Sequence, residues 1–268
     1  MPLIVSTVNV NGIRAAARKG LLGWLDSTTA DVVALQETRA TEEQAQAALA
    51  PAVARGWHLV GAEPEAKGRS GVAILSRQRP EAVRVGFGDG EFAASCRYLE
   101  ADFGPVAVAS VYVPSGDVGT ERQDAKYRFM DAFAAHLTAR VAQLQAVGRE
   151  LLVCGDWNIA HAEADIAAWK SNLKSSGFLP DERAWLDGLI GPGAVLVDVV
   201  RRLYPDVAGP YSWWSYRGRA FDNDAGWRID YHMATPGLAE RAKQATVERA
   251  PAYDQRWSDH APVTVQYR

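Results

Sequence analysis

Five short stretches of this sequence place carboxylates, carboxamides or an imidazole at the edge of an apolar run, four where a run stops and the fifth just before the last one begins. They are Asn9 and Asn11 in TVNVNG, Glu37 in ALQET, Asp156 and Asn158 in CGDWN, Asp230 in WRIDY, and Ser258, Asp259 and His260 in WSDHAPV. In open α/β sheets the strand ends border the ligand crevice, so these positions are where chemistry is built. Taken singly, each has a plain structural use. Asp and Asn after a strand make Asx turns or cap a helix, a lone Glu is solvated, and a lone His is a hydrogen-bonded imidazole. Together they suit one chemistry. Oxygen donors without Cys/His ligand spacing favour Mg²⁺ or Mn²⁺ over Zn²⁺. Mg²⁺ takes one or two carboxylates and keeps its waters, which matches Glu37 assisted by Asn9 and Asp259. An imidazole beside carboxylates holds positive charge against a phosphate oxygen. The sum points to hydrolysis of a phosphoester.

The ends must be carried to one place, and the pattern around them shows by what. Short β-rich runs recur at 3–10, 31–38, 71–76, 97–103, 106–114, 151–158, 227–235 and 261–268, bounded by turn residues. Residues 120–147 predict a helix with Thr120 as N-cap and a stop at Gly148, and 14–29 and 41–55 read as helices too. Some strands alternate with helices and others follow directly as hairpins, which predicts an α/β sandwich with mixed sheets. Gly155 and a helix expected after Asn158 call for a turn there. No Pro/Gly/Ser-rich linker or short repeat divides the chain, so one domain over 1–268 is expected. The stretch 205–227 is irregular, aromatic and basic, and reads as a functional loop.

Composition narrows the class. The chain has 268 residues, 48% hydrophobic and 23% charged, with a net charge of −3, which argues against coating nucleic acid or membrane by bulk charge but leaves room for a local basic groove. Cys96 and Cys154, the two cysteines, match no metal or redox spacing and are expected as buried thiols, which favours a reducing compartment. The first residues, MPLIVSTVNVNG, fit a strand better than a signal peptide, and no segment nears the roughly 20 apolar residues of a membrane span. A cytoplasmic protein without membrane partners is expected. Other motifs fail. GRSGV has Val72 where a nucleophile elbow needs Gly, and no P-loop or Rossmann glycine pattern occurs. His161, Glu163 and Asp165 can be drawn as a metal cluster but read more simply as the polar start of a helix.

NVNGIRA, LQET, SGVAILS, VYVPSG, GDWNIAHAEADI, GWRIDY and SDHAPV occur in this order along nearly the whole chain. In these the sequence resembles the exonuclease III family of apurinic/apyrimidinic endonucleases, within the endonuclease/exonuclease/phosphatase superfamily. The resemblance implies a four-layered α/β sandwich, two mixed β-sheets packed face to face and flanked by helices, with one site at an edge of the sheets. It implies Glu37 as the main metal ligand, with Asn9, Asn11 and Asp259 beside the ion. Asp156 would orient or deprotonate the attacking water, Asn158 and Tyr112 would hold phosphate oxygens, and His260 paired with Asp230 would stabilise charge on the phosphoryl group. Trp213, Trp227 and Ile229 match the pocket for a flipped abasic sugar.

The implied activity is Mg²⁺-dependent cleavage 5′ to an abasic site in duplex DNA by a monomer, with Mn²⁺ as an alternative ion and 3′-to-5′ exonuclease and 3′-end trimming as further activities on 3′ ends. Arg14, Lys67, Arg69, Lys174, Arg217 and Arg219 would contact phosphates or remain solvated charge. Two departures touch DNA handling: Arg69 stands where relatives carry an aromatic or His, and Ser115 where Asn or Gln is common. Two other readings are a superfamily phosphoesterase acting on an inositol phosphate or sphingolipid, and a non-catalytic nucleic-acid-binding regulator on the same fold.

Overall fold

The apolar runs become strands because both of their faces are covered. In a computed structural model describing residues 2–62, 68–88, 90–93 and 95–268, two six-stranded sheets stack with helices outside. Lys67 lies outside the described residues. The first sheet contains β1 (Leu3–Asn9), β2 (Val32–Gln36), β3 (His58–Ala62), β4 (Val72–Ser76), β11 (Ala242–Val247) and β12 (Val263–Tyr267) in the order β11-β12-β1-β2-β4-β3. The second contains β5 (Val83–Val85), β6 (Tyr98–Phe103), β7 (Val106–Tyr112), β8 (Glu150–Asp156), β9 (Val197–Asp198) and β10 (Asp230–Ala234) in the order β5-β6-β7-β8-β10-β9. Each sheet is mixed. One central pair is parallel, β1 with β2 and β7 with β8, and the neighbours are antiparallel.

The pleat sorts each strand into two cores. Val32 and Ala34, Val72 and Ile74, Val106 and Val108, and Leu152 and Cys154 face the space between the sheets. The alternate residues Val33 and Leu35, and Ala73 and Leu75, face the helical segments Ile13–Ser27 and Glu42–Ala54. Leu151 and Val153, with Ala107 and Ala109, face the helix Glu121–Gln145. Buried polar contacts cross between the layers: Gln36 Nε2 donates to Ser110 Oγ at 2.9 Å, and Ser110 Oγ donates to the Leu35 carbonyl at 2.9 Å.

The two sheets share one plan. In each, a hairpin flanks one side of the parallel pair (β11-β12, β5-β6) and a second strand pair flanks the other (β4-β3, β10-β9). This places the C-terminal ends of β1, β2, β7 and β8 at one edge, and residue parity does the rest. Asn9, Tyr112, Asp156 and Asp230 continue the inter-sheet face of their strands. Tyr112 stands opposite Asp156 on β7 and β8, and Asp156 opposite Asp230 on β8 and β10.

Several local expectations change. Thr41 and Thr120 cap the helices Glu42–Ala54 and Glu121–Gln145. The segment 14–29 is helical but kinked at Gly20, where φ is 149° and the ring of Trp257 packs against it. Gly155 does not form a turn. It lies inside β8, where a Cβ would fall 2.0 Å from the Val111 carbonyl oxygen, so glycine lets β7 and β8 approach. No regular helix follows Asn158 directly; the chain first makes a single 3₁₀ turn at Glu163–Asp165. Strand β10 begins at Asp230 rather than at 227, because Trp227 is drawn into a bridge with Trp213. Cys96 and Cys154 are buried and unpaired. Among the described residues no helix is long and apolar enough to cross a membrane.

Candidate active site

Asn9 organises the sheet edge. Fully buried at the end of β1, its Nδ2 donates to Glu37 Oε1 at 2.9 Å and to Asp156 Oδ2 at 2.9 Å, so one amide spans both sheets. Its Oδ1 accepts the Asn11 backbone N–H at 2.9 Å, and Asn11 Nδ2 donates to Asp259 Oδ1 at 2.9 Å. Glu37, Asn9, Asn11 and Asp259 therefore form one hydrogen-bonded chain. The other oxygen of Asp259 accepts Trp213 Nε1 at 3.1 Å, and Ser258 Oγ donates to the Asn9 carbonyl at 2.6 Å.

The backbone is bent to aim these groups. Asn11, Glu37 and Asn158 have φ of 47°, 50° and 50°, a left-handed region that L-residues seldom adopt. The bends are held by hydrogen bonds from Gly12 N to the Glu37 carbonyl at 2.8 Å and from Asn158 N to Asp156 Oδ1 at 2.9 Å. Asn158 Nδ2 donates to the Val113 carbonyl at 2.8 Å. The Asx turn expected at Asp156–Asn158 is thus present, and Asp156 Oδ2 still faces the site.

Opposite Asp156, His260 Nδ1 lies 2.8 Å from Asp230 Oδ2 and Nε2 lies 3.8 Å from Asp156 Oδ2. Ser212 Oγ donates to Asp230 Oδ2 at 2.6 Å. Asp156, Asp230 and His260 are all buried, with ligand atoms mutually within 4.8 Å. Burial pushes the Asp156 carboxyl well up from the usual carboxylate range; the charges of Asp230 and Glu37 add to this, and His260 and the Asn9 hydrogen bond oppose it. Burial alone would lower His260, but the charge of Asp230 and its hydrogen bond outweigh that and raise it. The Tyr112 hydroxyl is held protonated, first by burial and then by the charges of Glu37 and Asp156. An acceptor carboxylate, a cationic imidazole and neutral donors meet at one place, which suits in-line displacement at phosphorus.

The oxygen donors fit a hard divalent cation. Glu37 and Asp259 are carboxylates at the rim, and the His260 imidazole is committed to Asp230. Arg39 already pairs with Glu37 Oε2, a sign that this carboxylate attracts positive charge. Asn9 and Asn11 turn amide nitrogens to the carboxylates, so they position oxygens rather than compete for an ion.

Trp213, Trp227 and Ile229 join one apolar cluster with Ala160, Ile166 and Phe178. Ser115 accepts a hydrogen bond from Arg122 at 3.1 Å, and Arg69 is exposed. Arg14, Arg18 and Arg39 line a cleft of about 430 Å³ with Gly12, Ala15 and Gly68. His161, Glu163 and Asp165 do not converge: His161 Nε2 pairs with Asp187 at 2.7 Å, and buried Asp165 pairs with Arg228 Nε at 2.7 Å and with Arg201.

Sequence reasoning missed Ser212, Arg39 and Lys126. Lys126 is fully buried, paired with Glu182 at 2.7 Å, and its Nζ donates to the Asn158 carbonyl at 3.0 Å. A signal for it existed. Gln123 and Lys126 occupy the stripe of the helix Glu121–Gln145 that continues as Phe129, Met130 and Phe133, and a lysine on an apolar stripe needs a buried partner.

Residues 6–260 match the Endonuclease/Exonuclease/phosphatase family. An exodeoxyribonuclease of Bacillus subtilis (strain 168) is 35% identical over 256 residues, spanning 95% of each chain. The structure of an AP endonuclease from Archaeoglobus fulgidus superposes with a TM-score of 0.86 at 27% identity, covering 99% of both chains. A 3′ phosphatase from Neisseria, solved bound to a product DNA hairpin, gives a TM-score of 0.86 at 28% identity over the same 99% of both chains.

Proposed function

The chain belongs to the endonuclease/exonuclease/phosphatase family, and from that membership we propose that it is a Mg²⁺-dependent DNA repair nuclease cutting the phosphodiester 5′ to abasic sites in duplex DNA. The same centre acts on 3′ ends as an exonuclease and as a 3′-end phosphodiesterase or phosphatase, a reading supported by the likeness to the Neisseria 3′ phosphatase. The observation that carries the proposal is the single amide of Asn9 bridging Glu37 and Asp156, because it ties a cation-attracting carboxylate to a raised, buried one across the two sheets.

Each group has a task in this reading. Glu37 and Asp259 hold the divalent cation, with Asn9 and Asn11 fixing their oxygens. When bound, the cation neutralises charge gathering on the phosphate and eases departure of the 3′ oxygen. Asp156 aligns the attacking water and takes its proton, for which a raised proton affinity is suited. His260, kept cationic by Asp230, bonds one non-bridging oxygen, and Tyr112 and Asn158 hold the other. Trp213, Trp227 and Ile229 receive the baseless sugar, and Arg69 and Ser115 bear on the flanking DNA. The products are a 3′-hydroxyl and a 5′-deoxyribose phosphate.

The test is a labelled duplex with one abasic site, incubated with Mg²⁺ or with chelator, beside an undamaged duplex with a recessed 3′ end. The expected result is a Mg²⁺-dependent cut at the lesion. Absence of that cut overturns the proposal, and the second substrate grades the exonuclease.

A further inference from the structure

The apolar cluster beside the site has a member with no role so far. Its floor is Ala160, Ile166, Phe178 and Ile229, all buried, and three half-buried tryptophans pack against that floor: Trp169, Trp213 and Trp227. Two of the three are fixed. Trp213 and Trp227 exchange backbone hydrogen bonds of 2.9 Å in both directions, and their rings meet edge to face at 6.0 Å. Trp213 is also tied to Asp259 through its indole nitrogen, and Trp227 is pressed by Gly177, where a Cβ would stand 3.1 Å from its ring.

Trp169 is mounted differently. It opens a four-residue helix, Trp169–Asn172, whose N-cap Ala168 offers no side-chain hydrogen bond. Its indole N–H has no protein partner among the described residues. The Lys170 ammonium stands 5.4 Å from its ring centroid. The chain before it is anchored, with Ala167 N donating to the Gly226 carbonyl at 3.1 Å and Ile166 bridging Trp227. One wall of the cluster therefore rides on a short helix, while moving either of the others breaks backbone pairing or the Asp259 contact.

We propose that Trp169 is a specificity-determining residue, the outer wall of the sugar-binding cluster, which closes on a baseless deoxyribose and disfavours a nucleotide that keeps its base. The inference rests on the nuclease reading above. A base-bearing residue needs more room than a bare sugar, and Trp169 is the wall that yields at least cost. Its indole adds apolar contact to the bare sugar, and it stands in the way of an attached base. Truncating the ring should therefore lower abasic-site incision and leave excision of ordinary 3′ nucleotides equal or faster.

The experiment compares wild type, W169A and W169F on a duplex with a tetrahydrofuran abasic analogue and on an undamaged recessed 3′ end. Anisotropy in chelator measures binding to abasic and intact duplexes without turnover. In W169A the ratio of abasic to exonuclease kcat/KM should drop by about tenfold or more, the scale on which a shaped apolar pocket discriminates, and the binding preference for abasic duplex should shrink with it. W169F, which keeps a ring, should retain most of both. An equal loss on both substrates, or an unchanged ratio, overturns the inference. If W169A does not fold, W169L carries the same comparison with a filler that has no ring plane. A wild-type protein that fails to cut the abasic duplex counts against the nuclease reading itself, whereas a wild type that cuts and a variant with an unchanged ratio count against Trp169 alone.

Discussion

His260 holds Asp230 with one ring nitrogen, at 2.8 Å, and faces Asp156 with the other, at 3.8 Å. Asp230 thereby sets both the orientation of the ring and its charge. The Asp230→Asn variant keeps the shape and removes the charge, leaving a buried imidazole without its counterion. A fall in kcat of roughly 10²–10³-fold on abasic duplex is expected, the loss typical of one preorganised electrostatic group. Steady-state kinetics check it; a loss under fivefold would mean that His260 holds its position without Asp230.

Asp156 accepts from two directions, Asn158 N on Oδ1 and Asn9 Nδ2 on Oδ2. An Asn side chain in its place can satisfy one donor and must turn its own NH₂ toward the other. Asp156→Asn should lose roughly 10³-fold or more in turnover, because proton acceptance goes together with water alignment. Binding to abasic duplex, measured by anisotropy in chelator, should stay within a few-fold of wild type. Substantial residual turnover would remove Asp156 from the chemistry.

Glu37 meets both the Asn9 amide and the Arg39 guanidinium. Glu37→Gln preserves the amide contact and removes the negative charge that attracts a divalent ion. A charge-assisted contact is worth about 1.5–3 kcal/mol, so the Mg²⁺ concentration for half-maximal rate should rise by roughly 10–100-fold. Mn²⁺ binding followed by paramagnetic resonance reads the same change without turnover. An unaltered Mn²⁺ affinity would place the ion elsewhere.

How much of this is legible in the sequence depends on the range of each interaction. The polar strand ends, and the helices capped by Thr41 and Thr120, are local signals and stand where the sequence places them. The strands β3, β5, β9 and β11 have no counterpart among the expected runs. β5 is exposed throughout and β9 is two residues long, so neither carries an apolar run. β11, AKQATV, follows a helix directly and buries only two of its six residues. Register is non-local, and nothing in VYVP or WRIDY announces that Tyr112 and Asp230 flank Asp156 on adjacent strands. The shared plan of the two sheets is equally hidden, because it repeats topology rather than residues.

Two glycines should respond to alanine in opposite directions. At Gly155 a Cβ would meet the Val111 carbonyl oxygen at 2.0 Å with φ at 151°, and β7 and β8 would have to part behind Asp156. Gly155→Ala should cost more than about 3 kcal/mol or prevent folding, since overpacking and backbone strain add. Gly188 is exposed within the helix Pro180–Ile190, where a Cβ would meet nothing within 4 Å and φ is not positive. Gly188→Ala should stabilise by about 0.5–1 kcal/mol through helix propensity. Urea midpoints distinguish the two, and a destabilised Gly188→Ala would show that the helix is held in a geometry the backbone does not reveal.

His232 makes stability depend on pH from inside the core. It is fully buried between the sheets, its Nε2 bonds the Val263 carbonyl at 2.9 Å, and its Nδ1 lies 3.1 Å from the Tyr267 hydroxyl. Burial pushes its pKa down to about 4, against the weaker raising effects of the Val263 carbonyl and Asp198, so the folded protein keeps it neutral. In the unfolded chain it titrates near about 6.5. Between these values the unfolded state binds a proton that the folded state refuses. The contribution is therefore intact above about pH 6.5 and is lost as pH falls toward 4. From pH 7 to pH 5 this one group should remove about 2 kcal/mol of unfolding free energy, given about 1.4 kcal/mol per pH unit of proton uptake. His232→Gln, which cannot titrate, should be less stable at pH 7 but lose about 2 kcal/mol less over the same interval. Urea denaturation of both proteins at pH 7 and pH 5 measures the difference, and parallel losses would mean that the imidazole accepts its proton in the folded state.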